Sequence, residues 1–424
     1  MRVLLFGSGG REHAFCLAFA KSNKVSAIYI APGNAGTAST GTNVDLNPDD
    51  FEEVVEFILS KKIDLVVIGP EIPLVNGLAN RLLSSSRLKG LKVLGPNREG
   101  AQLEGSKVFA KKFMKRYEIP TAKYLEVTRD NLNQGNQYLQ NNKGPYVLKA
   151  DGLAAGKGVL IIDDREQAGT ELGNMLDGKF GEASRKVVIE EFLTGTEFSV
   201  FVLTDGDHWV LLPEAKDYKR AKEGDQGLNT GGMGAVSPVP FFGGEFKKKV
   251  IQQVVEPTLD GLKKEGINYC GFIFFGLINV NGSPYVIEYN CRMGDPETQV
   301  VFPRIESDMA ELILDATEGR LKGKEIKISN QSAATVIATS EGYPEKYEKG
   351  KSISGLDSIK NALVFHAGTR QNNNSIVTNG GRVLAITCLG EELQIAVSSC
   401  YKNMNELCFE GITYRKDIGS DLIN

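Results

Sequence analysis

The sequence has 424 residues, enough for about three domains of ordinary size, each able to bury a core of its own. Its 49 lysine and arginine residues nearly balance 53 aspartate and glutamate residues, and a net charge of −4 argues against binding to nucleic acid through a global basic field. The six cysteines form no CxxC pair, and no apolar run approaches the roughly 18 residues that cross a membrane. We therefore expect a cytoplasmic protein with reduced thiols and without membrane or nucleic-acid partners.

The first 102 residues alternate short apolar runs with amphipathic stretches, a pattern typical of parallel strands separated by helices. Each run ends in a loop that contains glycine or proline, and open parallel sheets bind ligands outside the carboxyl ends of their strands. We therefore predict a doubly wound α/β domain over residues 1–102 with a small-molecule site at one edge of its sheet. The predicted strands are Val3–Phe6, Val25–Ile30, Leu65–Ile68 and Lys92–Leu94.

The first of these loops, Gly7–Gly10, resembles a dinucleotide-binding fingerprint but departs from it in two respects. The third glycine would fall at position 12, which is Glu12, and the second strand runs into Ala31-Pro32 without ending in an acidic residue. We therefore reject a nicotinamide cofactor. The backbone N–H groups of the loop, together with Arg11, could still hold one phosphate group.

A glycine-rich loop follows later, between the predicted strands Tyr146–Ala150 and Val159–Ile162, after a basic helix whose lysines we interpret as a solvated face. The loop resembles a Walker A loop, but only three residues separate Gly152 from Gly156, and it joins two strands. A mobile glycine hairpin with a lysine is suited to closing over phosphates and excluding water. An ordinary flexible hairpin is the alternative.

The most specific local pattern is Glu288-Tyr289-Asn290-Cys291-Arg292, which continues a predicted strand at Tyr285–Asn290. The two-residue period of a strand places Glu288, Asn290 and Arg292 on one face. Carboxylate and amide oxygens are hard ligands suited to Mg²⁺, and an arginine beyond them would meet an anion or a developing negative charge. A polar strand edge facing solvent is the alternative interpretation.

A long polar loop begins near Asp217 and includes Asn229–Gly234, and long loops within compact domains are often functional. Near residue 328 the pattern changes to short strands and one helix around Leu393–Met404. This change predicts a third, α+β domain over 328–424 and leaves 103–327 for the middle domain. The three histidines lack partners at metal-ligand spacing, and we interpret them as structural or surface residues.

Several of these segments recur in the same order in one known family. They are Gly9–His13, Ala31–Gly36, Gly69–Glu71, Gln102–Lys107, Lys149–Val159, Asn229–Gly234, Asn290–Glu297 and Arg415–Gly419. On these segments the whole chain resembles the phosphoribosylamine–glycine ligases (glycinamide ribonucleotide synthetases), which are ATP-grasp enzymes. The resemblance implies a pre-ATP-grasp domain, an ATP-grasp domain with a mobile lid at about 120–193, and a C-terminal α+β domain.

The resemblance also implies a reaction of de novo purine (IMP) biosynthesis. ATP, glycine and 5-phosphoribosylamine would give ADP, phosphate and N1-(5-phosphoribosyl)glycinamide through a glycyl phosphate, with Mg²⁺ or Mn²⁺ as the metal. We expect a monomer. The alternative is another ATP-grasp enzyme, such as a biotin carboxylase-like subunit, but neither Asn229–Gly234 nor the segment after Arg292 supports a bicarbonate and biotin site.

Roles for individual residues follow from the same resemblance. The ATP phosphates are assigned to Lys107, Lys149 and Lys157. Adenine is assigned to a hinge formed by Glu190, Glu191, Phe192 and Leu193. The ribose is assigned to Glu197, the acid that follows the hinge. The metal ligands are Glu288 and Asn290. The glycine and acyl-transfer end is assigned to Asp217, Arg292 and Asp295. The phosphoribosylamine end is assigned to Gly10, Arg11, Asn34 and Glu71.

Overall fold

A computed structural model describes residues 1–154 and 157–423. Its first sheet has five parallel strands, in the spatial order Thr42–Asn43, Ala27–Pro32, Arg2–Gly7, Leu65–Ile68 and Lys92–Leu94. This order confirms the predicted doubly wound fold, and it adds one short strand that lies outside the predicted set. Winding reverses between the strands that end at Gly7 and Ile68, so the loops after these two strands flank the crevice in which such sheets bind ligands.

Helices cover both faces of this sheet, and strand Leu65–Ile68 is fully buried. The longer helices present an apolar stripe to the sheet; in Phe51–Lys61 the buried residues Val54, Val55 and Ile58 recur at helical spacing. The helices of this part are Gly10–Ala20, Phe51–Lys61, Glu71–Val75 and Leu78–Ser84. In residues 1–154 and 157–423, none of the helices has the length and apolarity that a bilayer crossing requires.

The middle of the chain forms two antiparallel four-stranded sheets. One has its own small core and contains Tyr124–Val127, Val187–Glu191, Tyr146–Ala150 and Val159–Ile162, packed against helices Leu132–Asn141 and Arg165–Asn174. The predicted hairpin is present, although Ala155 and Gly156 in its loop lie outside the described residues. The other sheet contains Trp209–Leu211, Thr196–Thr204, Gly271–Val280 and Ser283–Asn290.

Helices Gln102–Gly105, Lys107–Arg116, Gly244–Val250 and Glu256–Lys264 accompany this second sheet, and a π-helical segment, Ile251–Val255, joins the last two. Further on, helices Thr298–Val301 and Met309–Thr317 lead towards the C-terminal part. Strand Ser283–Asn290 buries Val286 and Tyr289 in the core and leaves Glu288 and Asn290 half-buried at the cleft. The predicted carboxylate and amide are therefore placed where a ligand can reach them.

A fourth sheet joins strands from both sides of residue 328. Its main path is Lys216–Asp217, Gly234–Ser237, Ser332–Ser340, Arg382–Gly390 and Leu363–His366, and Ile412–Thr413 pairs with Ser332–Ser340. Helix Leu393–Met404 packs on this sheet, and two hairpins stand beside it, Arg220–Lys222 with Gln226–Asn229 and Thr369–Asn372 with Ser375–Thr378. The α+β character of the C-terminal part is as predicted, whereas the boundaries after residues 102 and 327 stay predictions.

A buried histidine pair connects the N-terminal and C-terminal parts. The backbone N–H of His366 donates to His13 Nδ1 over 2.8 Å, and the two ring centroids are 5.5 Å apart. Burial lowers the pKa of His13 to about 3, with a further contribution from His366, and lowers the pKa of His366 to about 4. Both rings are therefore neutral at physiological pH and belong to the interior.

We predict that this pair makes the protein less stable on acidification. Both pKa values lie below the roughly 6.5 of an exposed histidine, so below that pH the unfolded chain binds more protons, and each histidine removes about 1.4 kcal/mol of unfolding free energy per pH unit. His13→Asn keeps an acceptor near the Nδ1 position without the titration. Between pH 7 and 5 the melting temperature of the wild type should fall more steeply than that of the variant, and equal slopes would contradict the prediction.

Candidate active site

The predicted nucleotide end of the cleft is organised around the carboxylate of Glu190. Its Oε2 atom lies 3.0 Å from Lys149 Nζ and 3.1 Å from Lys111 Nζ, and all three side chains are almost fully buried. The Oε1 atom is also buried, and it has no hydrogen-bond partner in the part of the chain that the structure describes. A buried acceptor without a donor is costly, so this oxygen is suited to a donor supplied by a ligand, such as an exocyclic amine.

Lys111 corrects the prediction that the lysines of helix Lys107–Arg116 form a solvated face. Its side chain is 2% exposed, and its Nζ donates to Thr121 Oγ1 over 2.7 Å in addition to pairing with Glu190. Burial lowers its pKa to about 8. The available sequence signal was its position four residues after Lys107, which puts both lysines on one helix face.

The other residues predicted to bind the nucleotide differ in how deeply they are buried. Lys107 Nζ lies 3.5 Å from the carbonyl of Gly152 in the glycine-rich hairpin, and burial lowers its pKa. Lys149 also donates to the carbonyl of Ile287 over 3.1 Å, which connects the hairpin strand to the strand of Glu288. The remaining side chains are half-buried or exposed: Lys157, Glu191, Phe192, Leu193 and Glu197.

Glu288 is an ionised carboxylate at the centre of the cleft. Its Oε1 lies 3.4 Å from Lys219 Nζ, and Lys219, with smaller contributions from Lys149 and Lys107, lowers the pKa of this carboxyl group to about 2. Lys219 Nζ also lies 3.7 Å from Glu197 Oε2. The same ammonium group therefore pairs with the acid predicted to bind ribose, Glu197, and with the predicted metal ligand, Glu288. This lysine lies in the predicted polar loop but was not among the predicted site residues.

Asn290 completes a pair of hard oxygen ligands. Its amide is satisfied when the NH₂ group donates to Tyr289 O at 3.2 Å and to Glu104 Oε1 at 3.0 Å, which leaves the amide oxygen as an acceptor on the other side. Within residues 1–154 and 157–423, no group of three or more His, Cys, Asp or Glu side chains could hold a metal ion. Glu288 and Asn290 nevertheless fit a hard divalent cation whose other ligands are phosphate oxygens and water.

Arg292 is held between two carboxylates. Its Nη2 donates to Glu104 Oε1 over 2.5 Å, its Nε lies 3.5 Å from Glu71 Oε2, and Nη1 donates to the carbonyl of Met293. Burial raises the pKa of Glu104, whereas Arg292 and Arg11 lower the pKa of Glu71 despite its burial. The two acids fix the direction of the guanidinium, and Glu104 is a site residue that the sequence-based assignment omitted.

Two further acids lie near Lys219: Asp217, which is half-buried, and Glu297, which is buried. Burial raises the pKa of Asp217, and burial together with the Asp217 charge raises the pKa of Glu297 to about 8. Burial alone would lower the pKa of Lys219, but Asp217, Glu288 and Glu197 outweigh it and raise this pKa. The cluster can therefore hold a cationic group, and an ammonium ion is one that a small amino acid would supply.

Asp295 lies where the N-terminal loop, the middle sheet and the C-terminal sheet meet. The backbone N–H of Arg11 donates to its Oδ2 over 3.3 Å, and Gln299 Nε2 donates to its Oδ1 over 2.8 Å. Arg382 Nη1 donates to the Asp295 carbonyl over 2.5 Å and to the carbonyl of Gly231 over 2.6 Å. Although burial opposes it, Arg382 and Arg11 lower the pKa of the Asp295 carboxyl group, which stays ionised.

The predicted N-terminal residues are mostly bound to other parts of the protein. Arg11 is 7% exposed, its Nε donates to Glu12 Oε1 over 2.6 Å, and its Nη1 donates to the Met293 carbonyl. The Asn34 amide donates to the carbonyls of Ser8 and His366. Gly10 packs closely against Gln299, because a Cβ there would lie 2.3 Å from Gln299 Nε2 and would displace that side chain. These contacts position the loop after the first strand against the centre of the site.

This arrangement of four sheets around one cleft agrees with the comparisons to known proteins. The family models for phosphoribosylglycinamide synthetase match in chain order: the N domain at residues 1–104, the ATP-grasp (A) domain at 105–298 and the C domain at 333–421. A phosphoribosylamine–glycine ligase of Chlorobaculum tepidum is 45% identical over 428 residues, with 99% of each chain covered. The chain belongs to the phosphoribosylglycinamide synthetase family.

Other relatives agree with this family. A phosphoribosylamine–glycine ligase of Halalkalibacterium halodurans is 42% identical over 425 residues, covering 100% of this chain and 97% of the relative. The crystal structure of the Thermotoga maritima phosphoribosylamine–glycine ligase superposes with a TM-score of 0.84 at 37% identity, covering 99% and 100% of the two chains. The biotin carboxylase domain of Hydrogenobacter thermophilus 2-oxoglutarate carboxylase has a TM-score of 0.71 at 17% identity over 97% of this chain and 91% of that one, which shows a common fold only.

Family membership confirms the resemblance and the three-part architecture inferred from the sequence. In the structure, the residues of the synthetase that were assigned to different ends of the reaction form one continuous cleft, in which Arg292 contacts Glu71 and Asp295 contacts Arg11. Their individual roles stay predictions. Sequence reasoning missed residues whose partners are distant in the chain: Glu104, Lys111, Lys219 and Arg382.

Proposed function

We propose that this chain is an ATP-dependent ligase that joins glycine to 5-phosphoribosylamine and yields N1-(5-phosphoribosyl)glycinamide, ADP and phosphate in purine biosynthesis. The observation that carries this proposal is the similarity, over 99% of the chain, to a relative named for that activity. The geometry is consistent with such chemistry, since buried lysines, an ionised Glu288 and a fixed Arg292 line one cleft. Acyl phosphate formation requires the stabilisation of phosphate charge and the exclusion of water.

In the first step a glycine carboxylate oxygen forms a bond to the γ-phosphorus of ATP, and the bond between that phosphorus and ADP breaks. Lys107 and Lys149 would neutralise the phosphates, and Arg292 would donate hydrogen bonds to the charge that develops on the transferred group. Glu288 and Asn290 would hold a divalent cation, which supplies additional charge neutralisation when bound. The Asp217 and Glu297 carboxyl groups, which both act on Lys219, would bind the glycine ammonium group.

In the second step the amine of phosphoribosylamine attacks the acyl carbon of glycyl phosphate. A C–N bond forms, the bond between that carbon and the phosphate oxygen breaks, and the amine loses one proton as phosphate leaves. Asp295 stays ionised beside Arg382 and can accept a hydrogen bond from the attacking amine. The N-terminal loop that contacts Asp295 would bring the sugar to this point.

We further propose that ATP acts with Mg²⁺ or Mn²⁺, that the enzyme works as a monomer, and that it acts in the cytoplasm on small molecules only. Glu190 Oε1, buried without a partner among the described residues, supports adenine recognition at the hinge. The net charge of −4 supports the expected absence of a nucleic-acid partner.

The decisive experiment measures phosphate release from ATP by the purified protein with each substrate omitted in turn. Release should require glycine and phosphoribosylamine together, and the glycinamide product should form in equal amounts. Dependence on bicarbonate and biotin instead would identify a carboxylase of the same fold. Release of phosphate without either co-substrate would contradict a ligase.

The buried lysine Lys111 provides a test of the nucleotide site. Lys111→Met keeps the length of the side chain but removes one of the two cations that hold Glu190, so the KM for ATP should rise about tenfold with a smaller change in kcat. Lys112→Met is the matched control, because Lys112 is exposed and pairs with Glu126. Initial rates over a range of ATP concentrations give both constants, and equal KM values for the two variants would contradict a role of Lys111 in positioning Glu190.

A further inference from the structure

A cavity of about 320 Å³ lies between the loops after the first two parallel strands and the C-terminal sheet. The middle domain contributes Asp295, and the N-terminal loops contribute Ser8, Gly9, Gly33 and Asn34. The largest share of the lining comes from the C-terminal unit, chiefly Tyr343, Gly368, Thr369, Asn379 and Gly380. The volume lies in the range of small-molecule sites, so a ligand the size of a pentose phosphate can enter.

Apart from Arg382, whose charge is paired with Asp295, the wall formed by the C-terminal unit consists of backbone and neutral polar groups. Gly368 and Gly380 face each other so closely that a Cβ on Gly368 would lie 2.5 Å from the Cα of Gly380. The backbone N–H of Gly380 donates no hydrogen bond within the described residues, and the Asn379 side chain is exposed to the cavity without a partner there. The Tyr343 hydroxyl accepts a hydrogen bond from the Gly231 N–H over 3.0 Å, so its own proton can be donated to a ligand.

The N-terminal wall adds further donors. The Ser8 backbone N–H also donates no hydrogen bond within residues 1–154 and 157–423, and the 11-residue helix Gly10–Ala20 begins at this wall. Backbone N–H groups, neutral side-chain donors and a helix N-terminus together are the elements of many phosphate-binding sites. The charges of Arg11 and Arg382 are balanced by their ion pairs with Glu12 and Asp295. The attraction of the cavity for an anion therefore depends on the neutral hydrogen-bond donors.

The charge of Asp295 determines how such a ligand would be oriented. Its ionised carboxylate repels a phosphate dianion but can accept a hydrogen bond from an amine, and it belongs to the acyl-transfer end of the proposed site. We propose that the C-terminal unit binds the 5-phosphate of phosphoribosylamine through Asn379 and the backbone at Gly380, with the 1-amino group directed to Asp295. This inference rests on the proposed function and assigns substrate recognition to a part of the chain for which sequence analysis gave none.

The test introduces one negative charge at the proposed phosphate site. Asn379→Asp preserves side-chain size and should raise the KM for phosphoribosylamine at least about tenfold through repulsion of the dianion, while the constants for ATP and glycine stay within about twofold. Asn372→Asp is the matched control, since it adds the same charge to an exposed position outside the cavity on the neighbouring hairpin. Its KM for phosphoribosylamine should equal that of the wild type.

Titration calorimetry with ribose 5-phosphate separates this inference from the proposed function. The wild type and Asn372→Asp should bind ribose 5-phosphate, Asn379→Asp should bind it at least about tenfold more weakly, and ribose without phosphate should not discriminate among the three. If the wild type makes product but Asn379→Asp retains both its KM and its affinity for ribose 5-phosphate, the phosphate lies elsewhere. If the wild type forms no product, the proposed function fails, and the calorimetric comparison still decides whether this cavity binds a sugar phosphate.

Discussion

Arg292→Lys should lower kcat by about 10²-fold, which corresponds to roughly 2.7 kcal/mol of transition-state stabilisation. The guanidinium contacts Glu104 with Nη2 and approaches Glu71 with Nε, so its plane is fixed between two acids on different elements. A lysine ammonium cannot span both acids or donate two parallel hydrogen bonds to a phosphoryl group. Because lysine retains the positive charge, the loss of kcat should result from the altered hydrogen-bond geometry and not from the loss of charge.

ATP affinity, measured by titration, should change little in this variant. At the predicted nucleotide end, Lys149 and Lys111 pair with Glu190 rather than with Arg292. Arg304→Lys is a suitable control: Arg304 is also buried, but it binds Ser237 and the carbonyl of Gln331 outside the cleft. That control should lower the melting temperature without a comparable loss of kcat. A rise only in the KM for phosphoribosylamine would mean that Arg292 serves the sugar rather than the transferred phosphoryl group.

Glu288→Gln should lower activity by at least about 10²-fold at ordinary magnesium concentrations and recover partly when magnesium is raised. The glutamine amide has the same shape as the Glu288 carboxylate but carries no negative charge. In the wild type this carboxylate is kept ionised by Lys219, Lys149 and Lys107. Those lysines would then repel a divalent cation with no carboxylate between them. The dependence of kcat on magnesium concentration measures the effect directly.

The matched control for this charge change is Glu265→Gln, because Glu265 belongs to the same part of the chain and pairs with Arg116 at the surface. Its magnesium dependence should equal that of the wild type. Unchanged turnover of Glu288→Gln at low magnesium would place the metal on other residues.

The elements that sequence reasoning predicted correctly are those with a strong local pattern. Strands Tyr146–Ala150 and Val159–Ile162 and helix Leu393–Met404 have the predicted bounds, because apolar period and flanking turns define them without reference to distant residues. The alternation in Ser283–Asn290 also placed Glu288 and Asn290 on the cleft side. Short edge strands such as Thr42–Asn43 carry no comparable pattern and were missed.

The partners within the site could not be read in the same way. Glu104 meets Arg292 across 188 positions of sequence, and Arg382 meets Asp295 across 87. A buried lysine such as Lys111 looks the same in sequence as the exposed Lys112 beside it, since only the folded sheet brings Glu190 to one and Glu126 to the other. The sequence shows which residues are charged and which face of a strand or helix they occupy. Which of these charges pair with one another depends on the tertiary structure.

The sheet shared across residue 328 limits how this protein can be divided or recombined. Strand Gly234–Ser237 pairs with Ser332–Ser340 of the C-terminal unit and carries Lys216–Asp217 on its other edge. A chimera joined at residue 328 would therefore have to preserve a backbone register between two parental sequences, in addition to the contact between their surfaces. Separate expression of the last hundred residues would expose the backbone donors and acceptors of Ser332–Ser340 as an unprotected edge, which favours aggregation. A substitution that shifts this strand pairing would therefore also displace the loop at Asn229–Gly234, which leads directly into strand Gly234–Ser237.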